Sequence, residues 1–173
     1  MPVQDTLYTI REFEMLPEGF PAQLIDGCLV KEPPVRYSHQ SLAAVIRAQL
    51  FQVVDPRRVP DHPSTVKIDD HNAYNPDIVV IEAPLAPDAL YMGVPQLAIE
   101  ILSARTMKRD RHVKTPRLIE LGVGEVWLVD EANETIEIHT RDGHRVIRAG
   151  DEARSAILDG FVLVPATLFA SPA

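Results

Sequence analysis

The stretch that decides the fold reads Asn75-Pro76-Asp77-Ile78-Val79-Val80-Ile81 and continues, after a proline-rich connection, as Gln96-Leu97-Ala98-Ile99-Glu100-Ile101-Leu102-Ser103. Both runs are rich in aliphatic and β-branched side chains, which is typical of buried strands. Each run also contains one carboxylate, Asp77 or Glu100. A carboxylate in such surroundings must pair with a cation, bind a metal or become neutral. These two positions are therefore candidates for a functional site.

The order of residues along the two runs indicates how the carboxylates could come together. Asp77 follows a proline and opens its strand, whereas Glu100 lies near the carboxyl end of the second strand. Residues 83–95 hold three prolines and a glycine, which can reverse the chain. In an antiparallel pair the two side chains would then be about 5 Å apart. Such a pair of hard oxygen ligands suits Mg²⁺ or Mn²⁺.

A purely structural interpretation of the same residues remains open. Asp77 could cap a turn after Pro76, and Glu100 could pair with a nearby arginine. The spacing of the two residues does not choose between this interpretation and a metal site.

Composition bounds the class of protein. The chain has 173 residues, 46% of them hydrophobic and 24% charged, which is ordinary for one globular domain spanning residues 1–173. The one cysteine, Cys28, excludes an internal disulfide and fits a reducing cytoplasm. The sequence shows neither the pattern of a signal peptide nor an apolar run long enough for a membrane span. We therefore expect a cytoplasmic protein.

Charge is distributed unevenly along the chain. The net charge is −8, which argues against non-specific binding of nucleic acid over the whole surface. Residues 105–117 nevertheless carry a net charge of +5 and follow Glu100 directly. A basic segment beside paired carboxylates suits a phosphate-bearing substrate. The alternative is a solvated basic face of a surface helix.

The first half of the chain predicts helices around a hairpin. Thr9 and Glu12 form a capping-box pattern that predicts a short helix ending near Leu16. The Asp26-Gly27 dipeptide predicts a hairpin with strands over residues 22–25 and 28–32. Ser38 is a candidate N-cap for an amphipathic helix over residues 39–54. Short strands are predicted near residues 57–59 and 65–68.

The second half predicts one more helix and a run of strands. The helix covers residues 107–121, with a kink or break near residues 112–116 caused by Pro116, and it ends at Gly122. Strands follow over residues 126–129, 135–140, 144–148 and 161–164, and Pro165 begins a terminal helical turn. The pattern predicts a mixed α/β domain.

An ordered set of residues resembles the Uma-two family, whose members are restriction-endonuclease-like proteins of the PD-(D/E)xK nuclease superfamily. The set comprises Pro76-Asp77, Glu100-Ile101-Leu102-Ser103, Asp110, Lys114 and Gly122-Val123-Gly124-Glu125-Val126-Trp127-Leu128-Val129-Asp130, with Leu24-Ile25-Asp26-Gly27 and His39 upstream. The resemblance extends over residues 9–169. It implies a restriction-endonuclease-like fold, in which helices flank a mixed central β-sheet that is preceded by an N-terminal helix and a β-hairpin.

The resemblance also implies a chemistry. Asp77 and Glu100 would hold Mg²⁺ or Mn²⁺ together with the carbonyl of residue 101, and the substrate would be a phosphodiester of nucleic acid, with DNA expected. The superfamily's usual lysine position holds Leu102 here, so the resemblance assigns the lysine role to Lys114. Asp110 lies four residues before Lys114 and could hold its amine in place on a helix.

Several residues keep two interpretations. Gln23 stands where the family has glutamate, Leu118 where it often has tyrosine, and Pro116 interrupts the segment that presents Lys114. These departures weaken the case for activity, and Gln23 and the overall acidity favour a second hypothesis, a nuclease-fold protein without catalysis that serves as a binding or assembly module. The possible site-lining residues are Gln23, His39, Ser103 and Asp110. His39 could contact a metal-bound water or a phosphate or only pack, and Ser103 could bind phosphate or cap the next segment. A homodimer is expected for cleavage of both strands of a duplex.

Overall fold

The computed structural model describes residues 7–17, 19–61, 65–86, 88–89 and 91–170. The elements of the first half are α1 (Ile10–Glu14), β1 (Ala22–Ile25), β2 (Cys28–Lys31), α2 (Tyr37–Leu50), a 3₁₀ turn (Pro56–Arg58), β3 (Val66–Asp69), β4 (Asn72–Tyr74) and β5 (Ile78–Val80). The elements of the second half are β6 (Leu97–Ile101), α3 (Met107–Arg109), a π-helical turn (Asp110–Lys114), α4 (Thr115–Leu121), β7 (Glu125–Asp130), β8 (Thr135–Thr140), β9 (Gly143–Ile147), β10 (Ala153–Arg154), β11 (Val162–Leu163) and α5 (Pro165–Leu168).

The central sheet has five strands in the order β5-β6-β7-β8-β9. Strands β6 and β7 are parallel, and the other neighbouring pairs are antiparallel. The sheet is therefore mixed, as the sequence predicts. The parallel pair requires a crossover connection, which the helical segment from α3 to α4 supplies. All six residues of β7 are buried, so this strand forms the middle of the core.

Helices cover both faces of this sheet. On one face Ile46 and Leu50 of α2 pack with Ile99 and Trp127. On the other face Leu118 of α4 packs with neighbouring strand residues in a second apolar cluster. Because side chains alternate along a strand, the two runs that the sequence marks as buried contribute side chains to the apolar clusters on both faces of the sheet. Leu118 is 0% exposed, so the departure at this position fills core volume.

A four-stranded antiparallel sheet, in the order β2-β1-β4-β3, lies beside the central sheet. The predicted hairpin is confirmed, with its turn at Asp26 and Gly27, where φ is 51° and 73°. Glu12 accepts a hydrogen bond from the backbone N–H of Thr9 at 2.7 Å, as the capping box predicts. The helix α1 is shorter than predicted and ends at Glu14.

Three sequence predictions about this half are wrong. Ser38 is not the N-cap, because α2 begins at Tyr37 and Arg36 occupies the cap position. The helix also ends at Leu50, and turns replace the helix predicted up to residue 54. Residues 57–59 do not form a strand: Pro56 opens a 3₁₀ turn in which Asp55 accepts a hydrogen bond from the N–H of Arg57 at 2.9 Å. Proline at the first position favours a helical turn over a strand.

The second half follows the prediction closely. Strands β7, β8, β9 and β11 and the terminal turn α5 lie within two residues of their predicted bounds. Gly122 ends α4 with φ of 111°. Strands β4 and β10 are absent from the prediction; each has three residues or fewer. No helix in the described part of the chain is long and apolar enough to cross a membrane.

The hairpin turn generates a stability prediction. A Cβ on Gly27 would lie 2.9 Å from the Cβ of Leu7, whereas Gly19 has almost the same φ, 75°, with no heavy atom within 4 Å of its Cβ position. We expect Gly19→Ala to lower the free energy of unfolding by about 1 kcal/mol through backbone strain alone. Gly27→Ala should cost about 1 kcal/mol more, because Leu7 must shift. Urea unfolding of both variants measures the difference, and equal losses would contradict it.

Candidate active site

The register of β5 and β6 brings the two strand carboxylates together. These strands are antiparallel, with Ile78 opposite Ile99, so the next step of the ladder places Asp77 opposite Glu100. The Asp77 carboxylate accepts a hydrogen bond from the backbone N–H of Ile101 at 2.8 Å. This bond across the strands takes the place of the turn cap that the structural interpretation assigned to Asp77. The side chain of Asp77 remains 24% exposed and is the more accessible of the two carboxylates.

Lys114 pairs with Glu100. The ammonium Nζ forms an ion pair with Glu100 Oε1 and lies 3.7 Å from Asp110 Oδ1. Only 2% of Lys114, 3% of Glu100 and 3% of Asp110 is exposed. The cation that neutralises Glu100 is thus a lysine from the crossover helix, and not the arginine of the structural interpretation. Two carboxylates and one amine share a nearly dry volume at the end of β6.

The orientation of Lys114 follows from a π-helical turn. Pro116 has no backbone N–H, and its ring would collide with the carbonyl four residues earlier in a regular α-helix. The chain widens over Asp110–Lys114 instead, where the N–H and the Oγ1 of Thr115 both donate to the Asp110 carbonyl, the latter at 2.8 Å. The predicted irregularity near residues 112–116 is confirmed. It directs Lys114 inward, and π-turns of this kind are frequent at functional sites.

Burial and charge act in opposite directions on this cluster. Burial is the strongest influence on the Lys114 amine and lowers its pKa, but Glu100, Asp110 and Asp77 together outweigh it and raise the pKa above its ordinary value. Lys114 is therefore a stable ammonium. Burial also raises the pKa of Glu100 well above its ordinary value, against the attraction of Lys114. Any ligand that requires an ionised Glu100 must offset this loss of hydration.

His39 in α2 contacts Asp77 from the other side. Its Nε2 lies 3.2 Å from Asp77 Oδ2, and this hydrogen bond is the main reason that the pKa of His39 is raised. Arg47, two helical turns further on, donates to the backbone carbonyl of Asp77 at 2.9 Å. The sequence analysis did not identify Arg47. Its spacing of eight residues from His39, which places both on one helix face, is the signal that could have found it.

Gln23 and Ser103 make local bonds at the edge of the site. Gln23 is buried, and its Oε1 accepts a hydrogen bond from the backbone N–H of Asn75 at 3.2 Å. The Asn75 side chain in turn donates to Glu32 Oε1 at 2.7 Å. The Ser103 Oγ accepts a hydrogen bond from the N–H of Thr106 at 3.3 Å in the turn before α3, whose N-cap position is Thr106.

One cleft of about 1080 Å³ collects these side chains. Its lining includes every residue that the sequence analysis named as catalytic or site-lining, namely Gln23, His39, Asp77, Glu100, Ser103, Asp110 and Lys114. The lining also includes residues that the sequence analysis did not name, among them Glu32, Arg36, Arg47 and Asp61. The convergence that paired carboxylates and a phosphate-directed lysine require is therefore present.

The basic side chains of residues 105–117 divide into those that form ion pairs within the protein and those that do not. Arg111 pairs with Glu137, Lys114 with Glu100, and Arg117 with Asp26. These three cations hold the crossover helix against the sheets. The segment is therefore not simply a solvated face, because half of its six basic side chains form ion pairs within the protein.

The donor set fits a divalent cation of the magnesium type. Asp77 and Glu100 are hard oxygen ligands on adjacent strand positions. Among the described residues, no group of three or more His, Cys, Asp and Glu side chains is arranged to hold a metal ion. Mg²⁺ is commonly held by one or two carboxylates, with waters and substrate phosphates completing its shell. Two carboxylates that face a cleft satisfy that requirement.

Comparison with known proteins identifies a family and a solved structure of similar fold. The model of the Uma2 family, described as "Putative restriction endonuclease", matches residues 10–166. The crystal structure of a protein from Anabaena variabilis at 1.96 Å resolution, described as a "putative nuclease belonging to DUF820", superposes with a TM-score of 0.80. The two sequences are 21% identical, and the match covers 97% of this chain and 98% of that one. The likeness shows the restriction-endonuclease-like fold. No curated protein matches the chain by sequence.

The buried ion pair generates a stability prediction. We expect Lys114→Met to lower the free energy of unfolding by about 3 kcal/mol, because it leaves Glu100 and Asp110 buried without their cation. Adding Glu100→Gln should recover at least about 1 kcal/mol by removing one of the stranded carboxylates. Lys108→Met, at an exposed position of the same segment, should change stability by less than about 0.5 kcal/mol. Urea unfolding of the variants tests this, and simple additivity of the two changes in the cluster would contradict it.

Proposed function

Since the chain belongs to the Uma2 family, we propose that it is a metal-dependent endonuclease that hydrolyses phosphodiester bonds, with DNA as the expected substrate. The observation that carries the proposal is the convergence of Asp77, Glu100 and Lys114 on the floor of one cleft. A structural ion pair alone would not require an accessible second carboxylate beside it. Asp77 is that carboxylate, and it opens to the cleft.

Asp77 and Glu100 would hold the metal, assisted by the backbone carbonyl of Ile101. A bound Mg²⁺ or Mn²⁺ polarises a phosphoryl oxygen and lowers the pKa of a coordinated water. The hydrogen bond from the Ile101 N–H fixes one oxygen of Asp77 and so orients the carboxylate. His39 holds the same oxygen from the α2 side. We assign His39 the role of a positioning residue.

Lys114 acts as a cation in this proposal. The neighbouring carboxylates raise the pKa of its amine, which favours the protonated form. A fixed ammonium beside the metal ligands can orient the attacking water and offset negative charge that builds on the phosphate. Asp110, at 3.7 Å, is a second anionic partner that holds the amine in place beside Glu100.

Gln23 is the observation that favours the second candidate, a binding or assembly module without catalysis. A neutral amide gives the site one negative charge fewer than the family's glutamate and lowers its attraction for a metal. Its oxygen is already bonded to the N–H of Asn75. Metal binding separates the two candidates, because only the nuclease requires it. A homodimer, a single domain over residues 1–173 and a cytoplasmic location stay predictions.

The metal site is tested with Asp77→Ala. We expect calorimetry to detect Mg²⁺ or Mn²⁺ binding to the unaltered protein and none to the variant, because a ligand is lost. Plasmid nicking should fall by at least about a hundredfold, which corresponds to about 2.7 kcal/mol of lost transition-state stabilisation. Asp61→Ala is the matched control, since its carboxylate lines the same cleft but is 97% exposed. Absence of metal binding and of nicking in the unaltered protein would refute the nuclease and leave the binding module.

Lys114→Met should separate metal binding from hydrolysis. Removing a cation next to Glu100 should leave metal affinity unchanged or raise it, because the carboxylate loses its competing partner. Nicking should still fall about a hundredfold or more, because a fixed charge that offsets the phosphate is lost. Calorimetry and nicking are compared on protein shown to be folded by circular dichroism. Loss of metal binding in this variant would place Lys114 in a structural role instead.

A further inference from the structure

Three arginines of the cleft have no acidic partner in the part of the chain that the structure describes. Arg36, Arg105 and Arg109 line it, and within the described residues their guanidinium groups make no hydrogen bond or ion pair. The Nε of Arg109 is buried and unpaired. Arginines elsewhere in the chain, such as Arg111 and Arg117, are held by carboxylates. A guanidinium presents five donors that fit phosphate oxygens, so these three are available to an anionic ligand.

The three arginines flank the acidic floor. Arg36 caps α2, the helix whose His39 contacts Asp77. Arg105 and Arg109 lie in the segment that leads from Glu100 to Lys114. Cations therefore lie on both the Asp77 side and the Glu100 side of the cleft. A polyanion that passes between them would cross the two carboxylates.

Tyr37 adds an exposed aromatic ring next to the cleft: it is not itself a lining residue, but its chain neighbours Arg36 and Ser38 are. It is the first residue of α2 and is 84% exposed, the largest value among the exposed large hydrophobic side chains of the described residues. Gln40 and Ala44 follow it at spacings of three and seven residues, so they share its helix face, and both line the cleft. The prolines at positions 33 and 34 restrict the backbone just before this helix. The tyrosine ring is thus presented beside the cleft and not within a core.

We propose that Tyr37, Arg36, Arg105 and Arg109 form a binding surface for unpaired nucleic acid, in which a base stacks on Tyr37 and the arginines bind the phosphates of one strand. The inference that the bound strand is cut rests on the proposed function, whereas the inference that a strand binds does not. Stacking on an exposed aromatic ring beside a cationic groove is the recognition mode of single strands.

The dimensions of the cleft favour one strand over a duplex. Its volume of about 1080 Å³ lies near the upper end of ligand pockets, which are about 300–1000 Å³. Such a space admits a few nucleotides. The metal ligand Glu100 at its floor is 3% exposed, so a phosphate must enter the cleft to reach it. In a duplex the base faces are stacked on one another, and Tyr37 would have no free face to contact.

The first test measures binding without hydrolysis. Fluorescence anisotropy in EDTA, repeated with Ca²⁺, compares a labelled oligothymidylate, an oligouridylate and a duplex of the same length. We expect the single strands to bind more tightly than the duplex, and the two oligomers distinguish DNA from RNA as the source of the strand. Tyr37→Ala should weaken single-strand binding by about tenfold, whereas Tyr37→Phe, which keeps the ring, should retain it. Tyr8→Ala is the control, because Tyr8 is exposed but lies at the Asp26–Gly27 hairpin turn, where its N–H donates to the Gly27 carbonyl, and has no lining residue of the cleft next to it in the chain.

Equal affinity for duplex and single strand would overturn the proposal, as would no binding at all. So would a loss in Tyr37→Phe or Tyr8→Ala that equals the loss in Tyr37→Ala. Because the EDTA measurement needs no metal and no cleavage, its outcome is independent of whether the protein proves to be a nuclease.

The second test counts phosphate contacts through salt dependence. Each phosphate bound on a single strand contributes about −0.7 to the slope of log K against log salt, so three arginines predict about −2. Arg109→Ala should reduce the magnitude of the slope by about 0.7. Lys108→Ala removes the same charge from the adjacent, exposed position outside the cleft and should leave the slope unchanged. If the slope changed equally in the two variants, the loss of net charge alone would account for it, and the assigned phosphate contacts would be wrong.

Discussion

The buried ion pair between Glu100 and Lys114 is the interaction on which the rest of the site depends. A carboxylate at the end of a central strand is costly to bury, and an amine from the crossover helix is the group that neutralises it. The amine reaches it because Pro116 forbids a regular α-helix and the chain widens into a π-turn. Pro116, which interrupts the helical pattern in the sequence, is thus the residue that directs Lys114 toward Glu100.

The parts of the fold that the sequence predicts are those set by strong local rules. The Asp26-Gly27 turn requires positive φ at both residues, and the reversal between residues 83 and 95 leaves Asp77 and Glu100 few places to lie except opposite each other. Local rules failed where two of them competed. Ser38 is a good N-cap by residue type, but α2 begins at Tyr37, two residues before the predicted start at His39, and no side chain caps it at Arg36.

What the sequence could not show is which charges are already paired. Arg111 and Arg117 read as part of a basic face, yet each forms an ion pair with a residue at least 26 positions away in the chain. Pairings of that range depend on tertiary packing. Conversely, Arg36 has no signal of its own, since it becomes a cleft residue only when α2 lies against the edge of the sheet. In a basic segment, the side chains available to a ligand are therefore those that form no ion pair within the protein.

The arginines of the cleft that form no ion pair within the described residues would allow an acidic protein to bind a polyanion. The net charge of −8 repels nucleic acid at long range. Inside the cleft the charges are layered: Asp77, Glu100 and Asp110 lie on the floor with Lys114 among them, and unpaired arginines line the walls. A divalent ion on the floor would cancel the excess acid locally, so metal and substrate should favour each other's binding, as linkage requires. On the proposal of a nucleic-acid substrate, the acidity of the rest of the surface would limit binding to strands that can enter the cleft.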